Sequence, residues 1–303
     1  LPRAVRMLLA HAESMVDDLI ELAHEWRADA IVYETTTLAG PIAAAAAGVP
    51  AIRHLYGPDL LLQSRAVLAN ALAPLAEQRG VGEFDPFGVV TVDPVPDDLQ
   101  LTTSRARLPM RYTPFNGPGH APALPERSDR SRVCVTWGHT IATVDPGRFF
   151  LPSVLDALDT MNVEVVAAVS AEQVRLLGPV RSRARVVVDA PLQHVLTGCD
   201  AVVAHGGAAT SLTALTRGLP LVLLPQLPDH IAHAERVAAS GAGELLPICE
   251  AEPQRVRELV TGLLGGSPYR TAALRIRRAM LNTPSPAAVL DVLTNRIAEL
   301  SPR

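Results

Sequence analysis

Short apolar strands alternate with amphipathic helices along almost the whole chain, and this alternation restricts the fold more than any other feature. Apolar residues recur at helical spacing from Val5 to Trp26, and the apolar stretch Asp29-Ala-Ile-Val-Tyr33 follows directly. Strands that alternate with helices in this way form parallel sheets with helical crossovers. The sequence therefore predicts an α/β fold.

The predicted strands and helices fall into two series. In the first series we predict strands at 29–33, 49–52 and 88–92, and helices at 38–47 and about 59–79. In the second we predict strands at 132–136, 163–168, 184–188, 201–204 and 220–224, and then helices at 253–280 and 285–300. A parallel sheet of about three strands leaves much apolar surface uncovered, so we expect further strand–helix units in front of Leu1.

The boundary between the two series is marked by composition. Proline and glycine crowd the otherwise polar stretch from Pro114 to Arg132, as in an interdomain linker. We therefore predict two α/β domains, at 1–113 and 132–284, with a linker at 114–131. The last helix, at 285–303, is predicted to pack back on the first domain.

Composition and charge exclude several classes of protein. The net charge of −4 does not favour nucleic acid, and no apolar run approaches the ~20 residues of a membrane helix. Cys134, Cys199 and Cys249 are widely spaced in apolar stretches, so we expect reduced, buried thiols. The first residues do not have the layout of a signal peptide. These features predict a cytoplasmic protein.

The strongest local motif is His205-Gly-Gly-Ala-Ala-Thr210, between a predicted strand and a predicted helix. The backbone N–H groups of such a junction, with the helix dipole, attract an anion such as phosphate. Gly206 and Gly207 have no Cβ to block a phosphate, and Thr210 can add a hydroxyl donor. His205 can donate a hydrogen bond to a diphosphate or neutralise it as imidazolium. A glycine turn that merely starts a helix explains the motif equally well.

Two more loops follow predicted strands. Thr136-Trp-Gly-His-Thr140 carries Gly138 with hydroxyl groups nearby, and loops at the carboxyl ends of parallel strands face one crevice. Pro225-Gln-Leu-Pro-Asp-His230 places Gln226 and Asp229 where they can bind sugar hydroxyls. In the competing interpretations Trp137 only fills the core, Asp229 caps a helix and His230 lies on the surface.

The sequence lacks the motifs that are typical of several other kinds of site. It has no G-x-G-x-x-G after a strand, no P-loop, no G-x-S-x-G and no paired Cys/His spacing. The nine histidines are scattered. We therefore predict neither a metal site nor a bound cofactor.

Several spaced motifs together resemble the donor site of GT-B glycosyltransferases, which have two Rossmann domains. These motifs are His205–Thr210, Gly218-Leu-Pro220, Pro225-Gln226 with Asp229, and Gly241-Ala-Gly243. Four upstream segments and Pro284-Ser-Pro-Ala287 narrow the resemblance to actinomycete enzymes that move deoxyaminosugars from dTDP onto macrolides and aromatic polyketides, the nogalamycin type being nearest. The four are Tyr56-Gly-Pro-Asp59, Thr91-Val-Asp-Pro94, Met110-Arg-Tyr112 with Asn116-Gly-Pro118, and Arg132–Thr136.

The resemblance implies roles for particular residues. The first domain would bind the acceptor and the second the nucleotide sugar. His205 would contact the diphosphate beside Gly206, Gly207 and Thr210, with Gly138, His139 and Thr140 on its other side. Ala190 and Leu192 would hold the thymine base, and Gln226 and Asp229 would face the sugar. Two departures from the family pattern stand out, because His230 replaces a common glutamine and the family's N-terminal general base has no counterpart here.

The implied reaction is inverting, metal-independent transfer of a deoxyaminosugar from a dTDP-sugar, which is a co-substrate, to a polyketide aglycone. The partners implied are these two substrates, with a homodimer or an auxiliary protein as further alternatives. Rival interpretations are a nucleotide-sugar epimerase or hydrolase, a non-catalytic nucleotide-binding partner of another transferase, and a purely structural α/β domain. Neither the sugar nor the aglycone can be deduced from the sequence.

Overall fold

A computed structural model describes residues 3–178 and 182–300 and divides into two compact units, each of which is described separately. Unit 1 comprises residues 1–95, 100–111 and 283–303, and unit 2 comprises 96–99 and 112–282. Each unit contains a parallel sheet with helical crossovers. The predicted α/β class is therefore confirmed.

Within the described residues, unit 1 has a four-stranded parallel sheet in the order β1-β2-β3-β4. Its strands are β1 (Ile31–Glu34), β2 (Ala51–His54), β3 (Val90–Asp93) and β4 (Arg107–Pro109). Its helices are α1 (Arg3–Trp26), α2 (Ala39–Ala47), α3 (Arg65–Glu77) and α12 (Pro286–Leu300). Strand β4 was not predicted from the sequence, because three residues ending in proline give no alternating pattern.

Small side chains let the elements of unit 1 approach closely. A Cβ added to Gly40, in α2, would lie 2.6 Å from Cβ of Tyr33 in β1, so only glycine fits there. Helix α12 belongs to unit 1 although it follows unit 2 in the chain. Its Val289 is buried in one cluster with Ile52 of β2 and Val92 of β3.

A buried ion pair organises the carboxyl end of β2. Arg53 lies 2.5 Å from Asp59, and both side chains are almost fully buried. Thr91 of β3 accepts hydrogen bonds from the Arg53 guanidinium, which also stacks on the Phe87 ring at 4.0 Å from its centroid. These additional contacts offset part of the cost of removing both charges from water.

Within the described residues, unit 2 has a six-stranded parallel sheet in the order β10-β9-β8-β5-β6-β7. Its strands are β5 (Arg132–Thr136), β6 (Glu164–Val169), β7 (Arg185–Val188), β8 (Ala201–Ala204), β9 (Leu221–Leu223) and β10 (Gly243–Leu245). Its helices are α4 (His139–Val144), α5 (Leu151–Leu158), α6 (Ala171–Leu177), α7 (Leu192–Val195), α8 (Ala208–Thr216), α9 (Pro228–Ala239), α10 (Pro253–Leu263) and α11 (Pro268–Asn282). Five of these strands match predicted ones. Strand β10 was not predicted, because it has only three residues and one of them is glycine.

Two of the long predicted helices are interrupted. The helix predicted at 253–280 is two helices, α10 and α11, because Gly265 and Gly266 between them have positive φ angles of 72° and 73°. The helix predicted at about 59–79 begins as a 3₁₀ turn, Leu60–Ser64, before α3.

The predicted linker lies against unit 2 over much of its length. One guanidinium nitrogen of Arg127 donates to both carboxylate oxygens of Asp200, at 2.6 and 2.8 Å, and Arg185 donates to the carbonyl of Ala123. Cys134 and Cys199 are buried as predicted, but Cys249 is exposed because it lies in a short 3₁₀ turn after β10. In the described part of the chain, no helix is long and apolar enough to cross a membrane.

Candidate functional site

The loops that carry the predicted site residues all follow strands of the unit 2 sheet. Because that sheet is parallel, the carboxyl ends of β5, β8 and β9 meet at one edge. Gly138 follows β5, His205 follows β8, and Gln226 follows β9. The structure thus places the three predicted loops side by side.

The imidazole of His205 lies where the two glycine loops meet. A Cβ added to Gly138 would lie 2.5 Å from Cε1 and 2.7 Å from Nε2 of that ring. A Cβ added to Gly207 would lie 2.6 Å from the same Nε2 atom. Any side chain at either position would collide with the ring, so the position of His205 favours glycine at both.

Helix α8 begins beside this ring with an open N-terminus. Its N-cap residue, Gly207, has no side chain to accept hydrogen bonds from the first turn. Thr210 is the third helical residue and is half-buried. By contrast, the first turn of α6 is capped by Ser170 and by Asp189. The free N–H groups and the dipole of α8 can therefore attract an anion.

His205 is neutral in this structure. Burial, together with the neighbouring His230 and His233, lowers its pKa to about 3, against a backbone hydrogen bond with Thr136 that raises it. A neutral imidazole donates from only one of its nitrogens. Of the two roles predicted for His205, the structure therefore favours a hydrogen-bond donor over a permanent imidazolium.

His230 is buried, so its interpretation as a surface residue is wrong. Its ring meets that of His205 edge to face, with centroids 4.7 Å apart, and its backbone carbonyl lies against Gly206. His233, one turn later in α9, is also buried and was missed. Their i, i+3 spacing on an amphipathic helix was a signal that both rings share its inward face.

Trp137 and Gln226 join the loops after β5 and β9. The indole Nε1 of the fully buried Trp137 donates to Oε1 of Gln226 at 2.8 Å. Gln226 Nε2 in turn donates to the carbonyl of Arg148 at 2.7 Å. Trp137 is therefore a core residue that also orients Gln226, and each polar atom of the Gln226 amide already has one protein partner.

Asp229 is not a helix cap. Leu227 is the N-cap residue of α9 and Asp229 is its second helical residue. Its side chain is 47% exposed and lies 4.0 Å from Nε2 of His230. The competing interpretation of Asp229 is thus wrong, and its carboxylate stays accessible to a ligand at the edge of the sheet.

The loop that carries Ala190 and Leu192 is held by the preceding segment of unit 2. The side chain of Asn116 accepts a hydrogen bond from the backbone N–H of Gln193 at 3.1 Å, in the first turn of α7. Gly119 approaches Pro191 so closely that an added Cβ would lie 2.8 Å from its ring. Ala190 and Leu192 are both half-buried, so they can present backbone groups and an apolar contact. The side chains of His139 and Thr140 lie outside the described residues; their backbone starts α4.

The two units and their parallel sheets define the class of protein, which is a GT-B glycosyltransferase. The structure of "Spinosyn Rhamnosyltransferase SpnG" matches with a TM-score of 0.86 and 26% identity, over 97% of this chain and 80% of that chain. Glycosyltransferase VinC in complex with dTDP matches with a TM-score of 0.83 and 30% identity, over 99% of this chain and 79% of that one. The predicted GT-B fold is confirmed.

The chain belongs to the family described as Erythromycin biosynthesis protein CIII-like. Its N-terminal domain matches residues 3–138 and its C-terminal domain matches residues 152–295. The 10-deoxymethynolide desosaminyltransferase of Streptomyces venezuelae is 34% identical, over 96% of this chain and 73% of that relative. The aklavinone 7-beta-L-rhodosaminyltransferase of Streptomyces galilaeus is 35% identical, over 96% and 72%. The family resemblance seen in the sequence is confirmed, and the chain is a glycosyltransferase.

The contact between Gly207 and His205 yields a direct test. Gly207 has an ordinary φ of −63°, so Gly207→Ala adds only the collision with the His205 ring. We expect dTDP affinity, measured by calorimetry, to fall at least about tenfold, as for a lost contact of ~1.4 kcal/mol. Gly262→Ala in α10 is the matched control, because a Cβ there meets open space. Equal affinities of the two variants would contradict this packing.

Burial of neutral histidines also predicts how stability depends on pH. Because the pKa of His205 is lowered in the folded state, the unfolded chain takes up a proton that the folded chain does not as pH falls below ~6.5. Stability is therefore full above that pH and is lost toward pH 5, by up to ~1.4 kcal/mol per pH unit for this residue.

Urea unfolding of unit 2 at pH 7.5, 6 and 5 would measure this loss. His205→Asn should show a shallower decline than the wild type, whereas the exposed His120→Asn should follow the wild type. If His205→Asn declines as steeply as the wild type, the ring is not held neutral in the fold.

Proposed function

We propose that this enzyme transfers a deoxyaminosugar from dTDP to a hydroxyl group of a polyketide or macrolide aglycone, with inversion at the anomeric carbon. The observation that carries the proposal is the His205 ring, whose Nε2 edge lies between Gly138 and Gly207 at the open N-terminus of α8. A neutral donor, free N–H groups and a helix dipole at one point form a site for a diphosphate.

The names of the relatives support this choice of substrates. Besides the desosaminyl and rhodosaminyl transferases, they include the "TDP-daunosamine transferase DnrS" of Streptomyces peucetius, which is 34% identical over 93% of this chain and 71% of that relative. Desosamine, rhodosamine and daunosamine are the sugars in these names, and 10-deoxymethynolide and aklavinone are the acceptors that two of them name. The same classes of donor and acceptor are proposed here.

In the proposed mechanism a general base removes the proton of the acceptor hydroxyl, whose oxygen attacks the anomeric carbon as its bond to dTDP breaks. One displacement inverts that carbon. Negative charge then grows on the leaving diphosphate, where His205 and the first turn of α8 can stabilise it. These groups supply the stabilisation that a metal ion gives in other transferases, so the proposed reaction needs neither a metal nor a cofactor.

The remaining contacts of the proposed donor are assigned to loops at the same edge of the sheet. Ala190 and Leu192 are proposed to hold the thymine, and Gly206 and Thr210 to line the diphosphate. Gln226 and Asp229 are proposed to face the sugar. We expect the reaction in the cytoplasm, where free thiols such as Cys134 persist. A homodimer or an auxiliary protein would be compatible with the proposal.

The proposal is tested by binding and turnover of His205→Ala. Wild type should bind dTDP more tightly than UDP in calorimetry, and His205→Ala should weaken dTDP binding. Turnover should fall further than binding, by ~10²–10³, because charge on the diphosphate is larger in the transition state. His11→Ala, an exposed site on α1, is the control. Binding of dTDP without any glycosylated product from full-length enzyme and a deoxyaminosugar donor would favour a non-catalytic partner instead.

Asp229→Asn separates sugar recognition from nucleotide binding. If the accessible carboxylate faces the sugar, the variant should bind dTDP-sugar less tightly and keep the wild-type affinity for free dTDP, which has no sugar to lose. We expect a loss of about tenfold for the dTDP-sugar, as for one charge-assisted hydrogen bond. The same loss for both ligands would place the sugar contacts elsewhere.

A further inference from the structure

We infer that α6 joins the two halves of the proposed donor site. Gln173, in the first turn of α6, is a positioning residue for the loop of Gly138, which is called the phosphate loop below. One half is the loop of Gly138, beside His205. The other is the loop of Ala190 and Leu192, which follows β7. This inference rests on the proposed function, because it matters only if both halves hold one donor molecule.

Gln173 takes part in a capping box at the start of α6. Oγ of Ser170 accepts a hydrogen bond from the backbone N–H of Gln173 at 3.2 Å, and Oε1 of Gln173 accepts one from the backbone N–H of Ser170 at 3.0 Å. These bonds satisfy two backbone donors at the start of the helix. They use only the oxygen of the side-chain amide and leave its nitrogen free for another partner.

The nitrogen of that amide reaches the phosphate loop. Nε2 of Gln173 donates to the backbone carbonyl of Gly138. The Gln173 residue is only 2% exposed, so this donor and acceptor are paired away from water. Gly138 in turn lies against the ring of His205, and a change in its backbone position changes the space around Nε2 of that ring.

A capping box needs only an acceptor at this position, and glutamate serves as well as glutamine. The contact with Gly138 is different, because it needs a donor, which glutamine has and ionised glutamate lacks. The amide at position 173 is therefore specified by the phosphate loop rather than by the helix.

The other end of the connection is Asp189. Its Oδ1 accepts a hydrogen bond from the backbone N–H of Ala171 at 3.0 Å, and its own N–H donates to the carbonyl of Val169. Asp189 has a positive φ of 50° and immediately precedes Ala190. The start of α6 thus holds the proposed base loop through Asp189 and the proposed phosphate loop through Gln173.

Gln173→Glu provides the sharpest test, because it keeps the capping acceptor and makes the donor depend on pH. A protonated carboxyl can donate to the Gly138 carbonyl, and an ionised one cannot. Burial raises the pKa of a glutamate above its ordinary ~4.3. We therefore expect dTDP affinity about tenfold below that of the wild type when the carboxyl is ionised, with recovery toward the wild type as pH falls.

The measurement is the ratio of variant to wild-type dTDP affinity in calorimetry between pH 5 and 9, which cancels the titration of dTDP itself. Gln173→Leu keeps the site buried without any donor, so its affinity should be low at every pH. Ser170→Ala removes the side-chain cap from Ser170 and keeps the Gln173 donor, so its dTDP affinity should change less than twofold. In His205→Ala, the loss caused by Gln173→Glu should shrink below twofold, because the group it positions is gone.

Wild-type dTDP affinity of Gln173→Glu at pH 9, where the carboxyl is ionised, overturns the inference, as does wild-type affinity in Gln173→Leu. An equal loss in Ser170→Ala also overturns it, since the helix cap alone would then explain the effect. If Gln173→Glu does not fold, the dTDP affinities of Gln173→Leu and Ser170→Ala decide the question. Both substitutions are then compared in the wild-type chain and in the His205→Ala variant. Failure of the wild type to bind dTDP would instead contradict the proposed function.

Discussion

The candidate site of unit 2 depends on one packing constraint, the placement of the His205 imidazole directly against two backbones. Gly138 and Gly207 approach the same ring edge so closely that a single Cβ on either would collide with it. This contact fixes the loop after β5 relative to the loop after β8, and it leaves Nε2 at the start of α8. Hydrogen bonds from Trp137 to Gln226 and from Gln173 to the Gly138 carbonyl further join the loops on this edge.

The same packing buries three histidine rings side by side, which has an energetic cost. Nδ1 of His205, of His230 and of His233 is buried with no hydrogen-bond partner among the described residues. Buried polar atoms without partners oppose folding, and they are rare in proteins. Their cluster lies beside the open end of α8, where the proposed diphosphate would bind. A cost concentrated at this point is consistent with the proposed diphosphate site.

Several motifs that carry the family resemblance act on the structure rather than on the ligand. Asp59 pairs with Arg53 inside unit 1, and Arg111 donates to the carbonyl of Thr283 just before α12. Asn116 accepts from the first turn of α7 and so supports the proposed base loop. The family signature therefore includes residues that hold loops in place, because binding at the edge of a sheet requires loops of fixed shape.

The sequence by itself determined the α/β class, most strands and the two glycine loops, since these depend on local periodicity and on turns that only glycine allows. It could not find β4 or β10, because runs of three residues carry no period. It also misplaced His230 on the surface and did not decide whether Asp229 caps a helix. It gave no role to Gln173 or His233. Those features depend on contacts between segments far apart in the chain, such as the bond from Gln173 to Gly138. Only the tertiary structure decides them, because burial and hydrogen-bond partners are set by packing across the sheet and not by neighbours in sequence.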